Sequence, residues 1–286
     1  MSIYVSSGAF KTKDIKRILD IAYKNNITNI ELAPGLEYNR DIEEIIYKAK
    51  NDFSFLIHNY FPTPKEEFAL NLASLDKEIH SKSMDLCIHA IDICSELNIP
   101  YYSVHCGFCF DTNGSALGNS SQLSLDRVKK KDAEEKFISS IRTLCEYAYK
   151  KKIGVAIENN VLAGFAKGEK ALLLGVGDTE IVDIIKSVNM ENLSFLVDLA
   201  HAKVSSNSYG FEMNNFIQNT VDYVKEVHVS ENDGLCDQNL EVSTKSDVYK
   251  WLSHYRNKTI TIEVYNLDIN EIKRQIRVIE NAINSI

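Results

Sequence analysis

Histidines and carboxylates recur in this chain at one kind of place, at or next to the last position of a short apolar run. LIHNYF puts His58 there, SVHCG puts His105, and AIENN puts Glu158. LVDLAH supplies Asp198 with His201 three residues on, EVHVSEND supplies His228, and ITIEVYN supplies Glu263. Imidazole nitrogens and carboxylate oxygens are the ordinary ligands of zinc, manganese and related divalent ions. No basic residue stands next to the three carboxylates, and burying a carboxylate costs several kcal/mol unless it is paired or bound to a cation. Gathered in one place, these residues predict a metal site.

Gathering them is the task of the fold. Eight short β-branched or apolar runs alternate with longer segments of helical period: Ile3–Val5, Thr28–Leu32, Phe53–His58, Tyr101–His105, Ile153–Glu158, Leu193–Asp198, Val224–Val229 and Thr259–Val264. Runs of that length between helices read as βα units of a parallel sheet. Eight of them predict a closed (β/α)8 barrel of the α/β class, a single TIM-barrel domain over residues 1–286. In this architecture, polar residues at strand C-termini converge on an axial pocket. Six consecutive predicted strands each supply a His, Asp or Glu there.

The helices are legible by the same periodicity. Thr12–Asn25 sets Ile15, Ile18, Leu19 and Ala22 on one face, and Asp76–Leu97 repeats Ile79, Ile88 and Ile91 at helical spacing. Asp268 with Glu271 three residues on opens the last helix as a capping box. Segments 107–131 and 159–177 exceed the usual βα loop, and the first predicts a lid over residues 108–130. His80, His89 and His254 fall in outer helices, remote from the pocket. Cys106 and Cys109 form a lone CxxC pair, too little for a zinc ribbon.

Composition bounds the partners. Apolar residues are 44% of the 286, charged residues 25%, and the formal charge is −8, which gives no general attraction for nucleic acid or an anionic membrane. No apolar stretch approaches the ~20 residues of a membrane helix. Met1 leads into Ile3–Val5 with no basic n-region, so no secretory signal is expected and the cytoplasm is the default location.

The strand-end pattern, together with NLASLDKEIHSKSMDLCIHAIDICSELNIPYYSVHCG and HVSENDGLCDQN, resembles the xylose isomerase-like superfamily of metal-dependent TIM barrels. That group holds sugar and sugar phosphate isomerases and epimerases, inosose dehydratase-like proteins and endonuclease IV. The resemblance implies metal ligands at Glu158, Asp198, His228 and Glu263, with both glutamates doubling as acid and base. It implies a further metal at His58 and His105, and contacts from His201 to a substrate oxygen or an additional ion. In the nuclease branch an Asp-x-His pair completes a third zinc site. Here that pair reads Asp237-Gln238-Asn239, and a neutral amide is a poor zinc ligand.

The expectation is therefore a metal-dependent isomerase or epimerase acting on a sugar, sugar phosphate or polyol. Zinc or manganese leads as cofactor, with cobalt or magnesium also compatible, and a homo-oligomer is allowed. A cation on two vicinal substrate oxygens acidifies the C–H bond between them, and an enediolate forms as one glutamate removes the proton and the other returns it. Asn159, Tyr60, Tyr265, His201 and Asp237 are the expected substrate-binding residues. The alternative is a zinc phosphodiesterase on abasic DNA, supported by His58 and His105 and opposed by Asn239.

Overall fold

The computed structural model describes residues 2–111, 126–163 and 172–284. Its strands are β1 (Ile3–Ser6), β2 (Asn29–Leu32), β3 (Ser54–His58), β4 (Tyr101–His105), β5 (Phe110–Asp111), β6 (Asp126–Arg127), β7 (Gly154–Glu158), β8 (Leu193–Asp198), β9 (Val224–Val229) and β10 (Thr259–Ile262). Eight of them close into a parallel barrel in the order β1-β10-β9-β8-β7-β4-β3-β2, while β5 and β6 form a separate antiparallel ribbon. The eightfold barrel read from the sequence is the fold.

Parallel barrel strands are covered on both faces, which is why they read as continuous apolar runs rather than alternating ones. In β7, for example, Val155 through Glu158 are all buried. The strands end a residue or two inside the expected limits at several places. β10 stops at Ile262, so Glu263 and Val264 lie beyond it, although the Glu263 N–H still donates to Val229 O at 3.0 Å. Glu263 is thereby held by the ladder but free to turn its side chain into the mouth.

The outer ring comprises α1 (Ile15–Lys24), α2 (Ile42–Ala49), α3 (Lys77–Leu97), α4 (Lys130–Lys150), α5 (Asp178–Val188), α6 (Leu199–Ser205), α7 (Met213–Thr220), α8 (Asp247–Trp251) and α9 (Ile269–Asn284). α1 starts at Ile15 rather than Thr12, because the Asp14 carboxylate accepts from Lys16 N–H at 2.9 Å and caps the helix there. It buries the expected face of Ile15, Ile18, Leu19 and Ala22. On α3 the fully buried stripe runs through Leu86, Cys87, Ala90, Ile91 and Cys94, with Ile79 and Ile88 only half-buried at its margin. The α9 capping box is present: Glu271 N–H donates to Asp268 Oδ1 at 2.9 Å and Asp268 N–H to Glu271 Oε2 at 2.6 Å.

Loops at the C-terminal end of the barrel are tied together by buried amides. Asn160 Nδ2 donates to the carbonyls of Cys106, Gly107 and Leu174 at 2.7, 3.2 and 2.9 Å. Asn71 accepts from the N–H groups of Phe108 and Ala73 and donates to Phe110 O. Gly175 adopts φ +65° and passes so close to Cys106 that a Cβ would overlap its Sγ. The expected lid over residues 108–130 lies largely outside the described residues. No described helix is long and apolar enough to cross a membrane.

Cys87, Cys94, Cys106, Cys109 and Cys145 are buried and Cys236 is half-buried. Burial pushes the thiols of Cys87 and Cys145 up to about 12 and that of Cys109 to about 11, with Cys106 and Cys94 also raised. A thiol so far from ionising is a poor nucleophile, so the Cys106–Cys109 pair is packing rather than redox chemistry. In native protein a chromogenic disulfide reagent should titrate Cys236 rapidly, and the other five only after denaturation. Fast reaction of a second thiol would show that the packing over Cys106 and Cys109 opens.

Candidate metal centre

Four consecutive strands of the barrel wall, β7 to β10, bring Glu158, Asp198, His228 and Glu263 to its mouth. One ligand atom from each lies within 4.8 Å of the others, and all four residues are buried. His228 Nδ1 stands 3.0 Å from Glu263 Oε2 and 3.5 Å from Glu158 Oε1. From β3 and β4, His58 Nε2 and His105 Nδ1 approach Glu158 Oε2 at 3.2 and 3.1 Å, making a second group that shares the same glutamate. His201, at the start of α6, completes the ring: its Nδ1 is 3.6 Å from Glu158 Oε1 and its Nε2 3.3 Å from Asp237 Oδ2.

The fit to a divalent ion can be judged from polar atoms left over. Both oxygens of Glu158, Asp198 Oδ2 and His105 Nδ1 are buried and make no hydrogen bond, since the neighbouring groups are near but misaligned. Native structures leave few such atoms, because each costs about 1–3 kcal/mol. Here they belong to the two groups that share Glu158, an arrangement that a cation would satisfy. The donor set of imidazoles and carboxylates is that of zinc or manganese sites.

Electrostatics agree. Burial disfavours ionised Glu158, but His105, His58 and His228 more than offset it and hold the carboxyl well below the usual range. His105 is itself pulled down to about 4, chiefly by burial, so near neutrality it faces Glu158 as an uncharged ring. The charge is carried by His58 and His228, whose burial is outweighed by Glu158 for the first and by Glu31 and Glu263 for the second. Burial raises Asp198 to about 7, with His201 working against the shift and Glu263, Glu158 and Asp237 adding to it.

The residues expected to meet substrate are placed unevenly. His201 and Asp237 face each other at the rim. The Tyr265 hydroxyl donates to Glu263 Oε1 at 3.0 Å, and the residue is 41% exposed. The Tyr60 hydroxyl accepts from Phe68 N–H at 2.8 Å, which turns that ring toward its own loop. Asn159 is buried with its amide on the Asp198 backbone, donating to its O at 3.0 Å and accepting from its N–H at 2.9 Å. It braces β7 against β8 rather than lining the opening. Asn239 takes φ +47° and donates to Glu263 O at 3.2 Å, so its amide supports Glu263 and does not join Asp237.

Among the described residues, two buried acids escaped the sequence reading. Glu31 on β2 accepts from His228 Nε2 at 2.9 Å, and Glu226 on β9 accepts from Thr261 Oγ1 at 2.5 Å. Glu226 precedes His228 by two positions, and a strand's period of two already places both on the inner face. The three remaining histidines stay in the outer ring: His80 bonds Ser140 Oγ at 2.8 Å, His89 meets Glu43 and His254 is exposed. A shallow groove of about 630 Å³ between Tyr149, Ile185, Met190 and Tyr223 lies by the start of β8, at the opposite end of the barrel from the cluster.

Residues 19–266 match the family described as xylose isomerase-like TIM barrel. The chain belongs to that family. Among solved xylose isomerase-like folds it is similar to a D-tagatose 3-epimerase-like protein (17% identity, 99% of this chain and 97% of that one, TM-score 0.74). It is also similar to a D-psicose 3-epimerase from Clostridium cellulolyticum H10 (14% identity, 98% and 97%, TM-score 0.67). Among curated proteins it matches a probable endonuclease 4 from Sulfurihydrogenibium sp., 26% identical over 158 residues, 54% of this chain. The match spans about half the length of that relative, 48%.

The charge pairing sets the pH profile of the metal-free protein. Glu158 and Glu263 have carboxyls lowered from 4.5, Glu263 to about 2, so their contribution is present above pH 4.5 and lost as pH falls through that range. His58, His201 and His228 are raised from 6.5, so theirs is present below pH 6.5 and lost as pH rises past it. Asp198, raised from 3.8 to about 7, subtracts progressively over that interval. Chelator-treated protein should therefore melt at its highest temperature between pH 4.5 and 6.5 and lower at about pH 8, with added zinc or manganese removing the alkaline loss. Calorimetry across pH with and without the ion checks this. A flat profile in the metal-free protein would contradict the pairing.

Proposed function

We propose that this protein is a metal-dependent isomerase or epimerase of a sugar, sugar phosphate or polyol, with Glu158 and Glu263 as its acid–base pair. One observation carries the reading. The two glutamates stand at the two ends of the β7–β10 arc with Asp198 and His228 between them, so they flank whatever the centre holds from two sides. Glu158, Asp198, His228 and Glu263 would hold the ion, zinc or manganese by donor type. When bound it supplies positive charge beside the substrate's oxygens, which acidifies the adjoining C–H bond.

The chain's own groups do the rest. One glutamate takes the proton from carbon and the other delivers a proton to the opposite face of that carbon, or to its neighbour, which separates epimerisation from isomerisation. Tyr265 holds the Glu263 carboxylate by its hydroxyl, and Glu263's charge, followed by burial, keeps that phenol protonated. Asn159 fixes the Asp198 backbone. His201, steadied by Asp237, would bind a substrate hydroxyl at the rim. Glu158 is fully buried, so bulk water is kept from the reacting carbon. The structural relatives named for 3-epimerase activity support the same substrate class.

Glu158→Gln and Glu263→Gln should each lower turnover of the true substrate by about 10²–10⁴-fold with the fold intact, since an amide keeps the shape but cannot accept the proton. Metal content is measured on the same samples. Near-wild-type activity in either loaded variant would refute the role.

A second reading, a zinc phosphodiesterase on abasic DNA, draws on His58 and His105 beside Glu158 and on the probable endonuclease 4 match. A third ion would have to rely on His201 and Asp237, because Asn239 is bound to Glu263 O, and catalytic zinc sites usually take three protein ligands. Pure protein should not incise an abasic duplex, and at most two ions per chain should bind tightly. Robust incision abolished by chelator would put the nuclease reading first.

A further inference from the structure

We infer that Glu31 is a positioning residue for the metal centre: by accepting the Nε2 proton of His228 it fixes the imidazole tautomer that presents Nδ1 to the ion. The inference rests on the metal-dependent reading above and concerns a residue outside the ligand arc.

His228 has two distinct edges. Nδ1 faces the arc, 3.0 Å from Glu263 Oε2 and 3.5 Å from Glu158 Oε1. Nε2 faces the other way, 2.9 Å from Glu31 Oε2, with both side chains wholly buried. A neutral imidazole carries one proton, and a ligand nitrogen must be free of it. If the proton sits on Nδ1 the ligand edge is blocked, and if it sits on Nε2 a buried acceptor is required. Glu226 cannot serve, because its Oε1 is 3.8 Å from Nε2 and already takes the Thr261 hydroxyl. Glu31 is the acceptor in range.

A packing role does not account for Glu31. It sits on β2, separated from β9 around the wall by β1 and β10, and reaches His228 through the barrel interior. Its Oε1 has no hydrogen-bond partner. A buried carboxylate half without partners is less favourable than an apolar side chain of similar volume, so stability alone would not select it. A carboxylate behind a metal-bound imidazole, by contrast, orients the ring and raises its basicity.

The test uses the full chain with Glu31→Gln and Glu31→Leu, and zinc as the probe. Affinity is measured by competition with a chromophoric chelator, the His228 tautomer by ¹⁵N NMR of the imidazoles, and metal-free stability by thermal unfolding. Zinc affinity should fall roughly tenfold in Glu31→Gln, whose amide oxygen can still accept, and up to about 100-fold in Glu31→Leu. Zinc-loaded wild type should show the His228 proton on Nε2, and metal-free stability should fall by less than the zinc-binding free energy in both variants, although each loses the counter-charge that Glu31 gives His228. Wild-type affinity in both variants would overturn the inference, as would affinity losses matched by equal losses of metal-free stability. Loss of one of two bound ions with the tighter site intact would make Glu31 a ligand and overturn it too. Wild type that binds no zinc or manganese would instead remove the metal reading itself.

Discussion

Glu158 sits at the end of β7 with both carboxylate oxygens out of reach of water and neither aligned to a hydrogen-bond donor. Four imidazoles, from His58, His105, His201 and His228, close to within 3.6 Å of those oxygens. A carboxylate in that position is tolerable only while positive charge stands next to it. Protons on His58, His201 and His228 supply that charge in the metal-free chain, and on the proposed reading a divalent ion would supply it more fully. The strand ends, the bracing amides and the deeper acids all serve to keep this one group and its partners in register.

Closing the sheet is what makes the crowding possible. In an open sheet, side chains at the ends of β3 and β9 would be far apart along the edge. In the barrel, the His58 and His228 rings approach to 4.9 Å between centroids. Beneath the mouth the interior stays polar, with Glu31, Glu226 and Thr261 all fully buried. A TIM barrel more often fills these layers with branched apolar residues. The hydrophobic stabilisation therefore has to come chiefly from between the strands and the helical ring, where Ile18, Ile46, Phe137, Ile141, Phe216 and Ile279 are completely buried. That separation leaves the interior free to hold groups that would otherwise destabilise a core.

The barrel was legible because each βα unit carries its own local signal, an apolar run followed by a helical period. The rim residues were legible because a His, Asp or Glu closing such a run has one place to point. Glu31 and Glu226 were not: each sits inside its run, Glu31 between Ile30 and Leu32 and Glu226 after Lys225, rather than at its rim end, and only closure of the barrel shows that both turn inward. Asn71 and Asn160 escaped for a different reason, since their partners in the β4 loop lie 37 to 54 positions away and no local pattern encodes the pairing. Asn159 was expected at the substrate, but its position beside Glu158 says nothing about which way the amide turns. The Asp198 backbone, 39 residues on, decides that.

This chain shares its fold with 3-epimerases and, over 54% of its length, is similar in sequence to a probable endonuclease 4, so what separates the two chemistries has to be sought in the site itself. On the proposed reading the Glu158–Asp198–His228–Glu263 arc would hold one cation, which says little about the bond to be broken. Outer groups make the distinction. His58 and His105 extend the centre on one side of Glu158, while His201 and Asp237 extend it on the other. Asn239 interrupts the second extension, because its left-handed backbone turns the amide onto the Glu263 carbonyl. The effect is to strengthen the seat of a glutamate at the expense of a further ligand. Proton transfer at carbon needs well-held carboxylates more than it needs a third ion, whereas a phosphodiester transition state gains from each added positive charge. On the proposed reading, that single amide tilts a shared scaffold toward carbon chemistry.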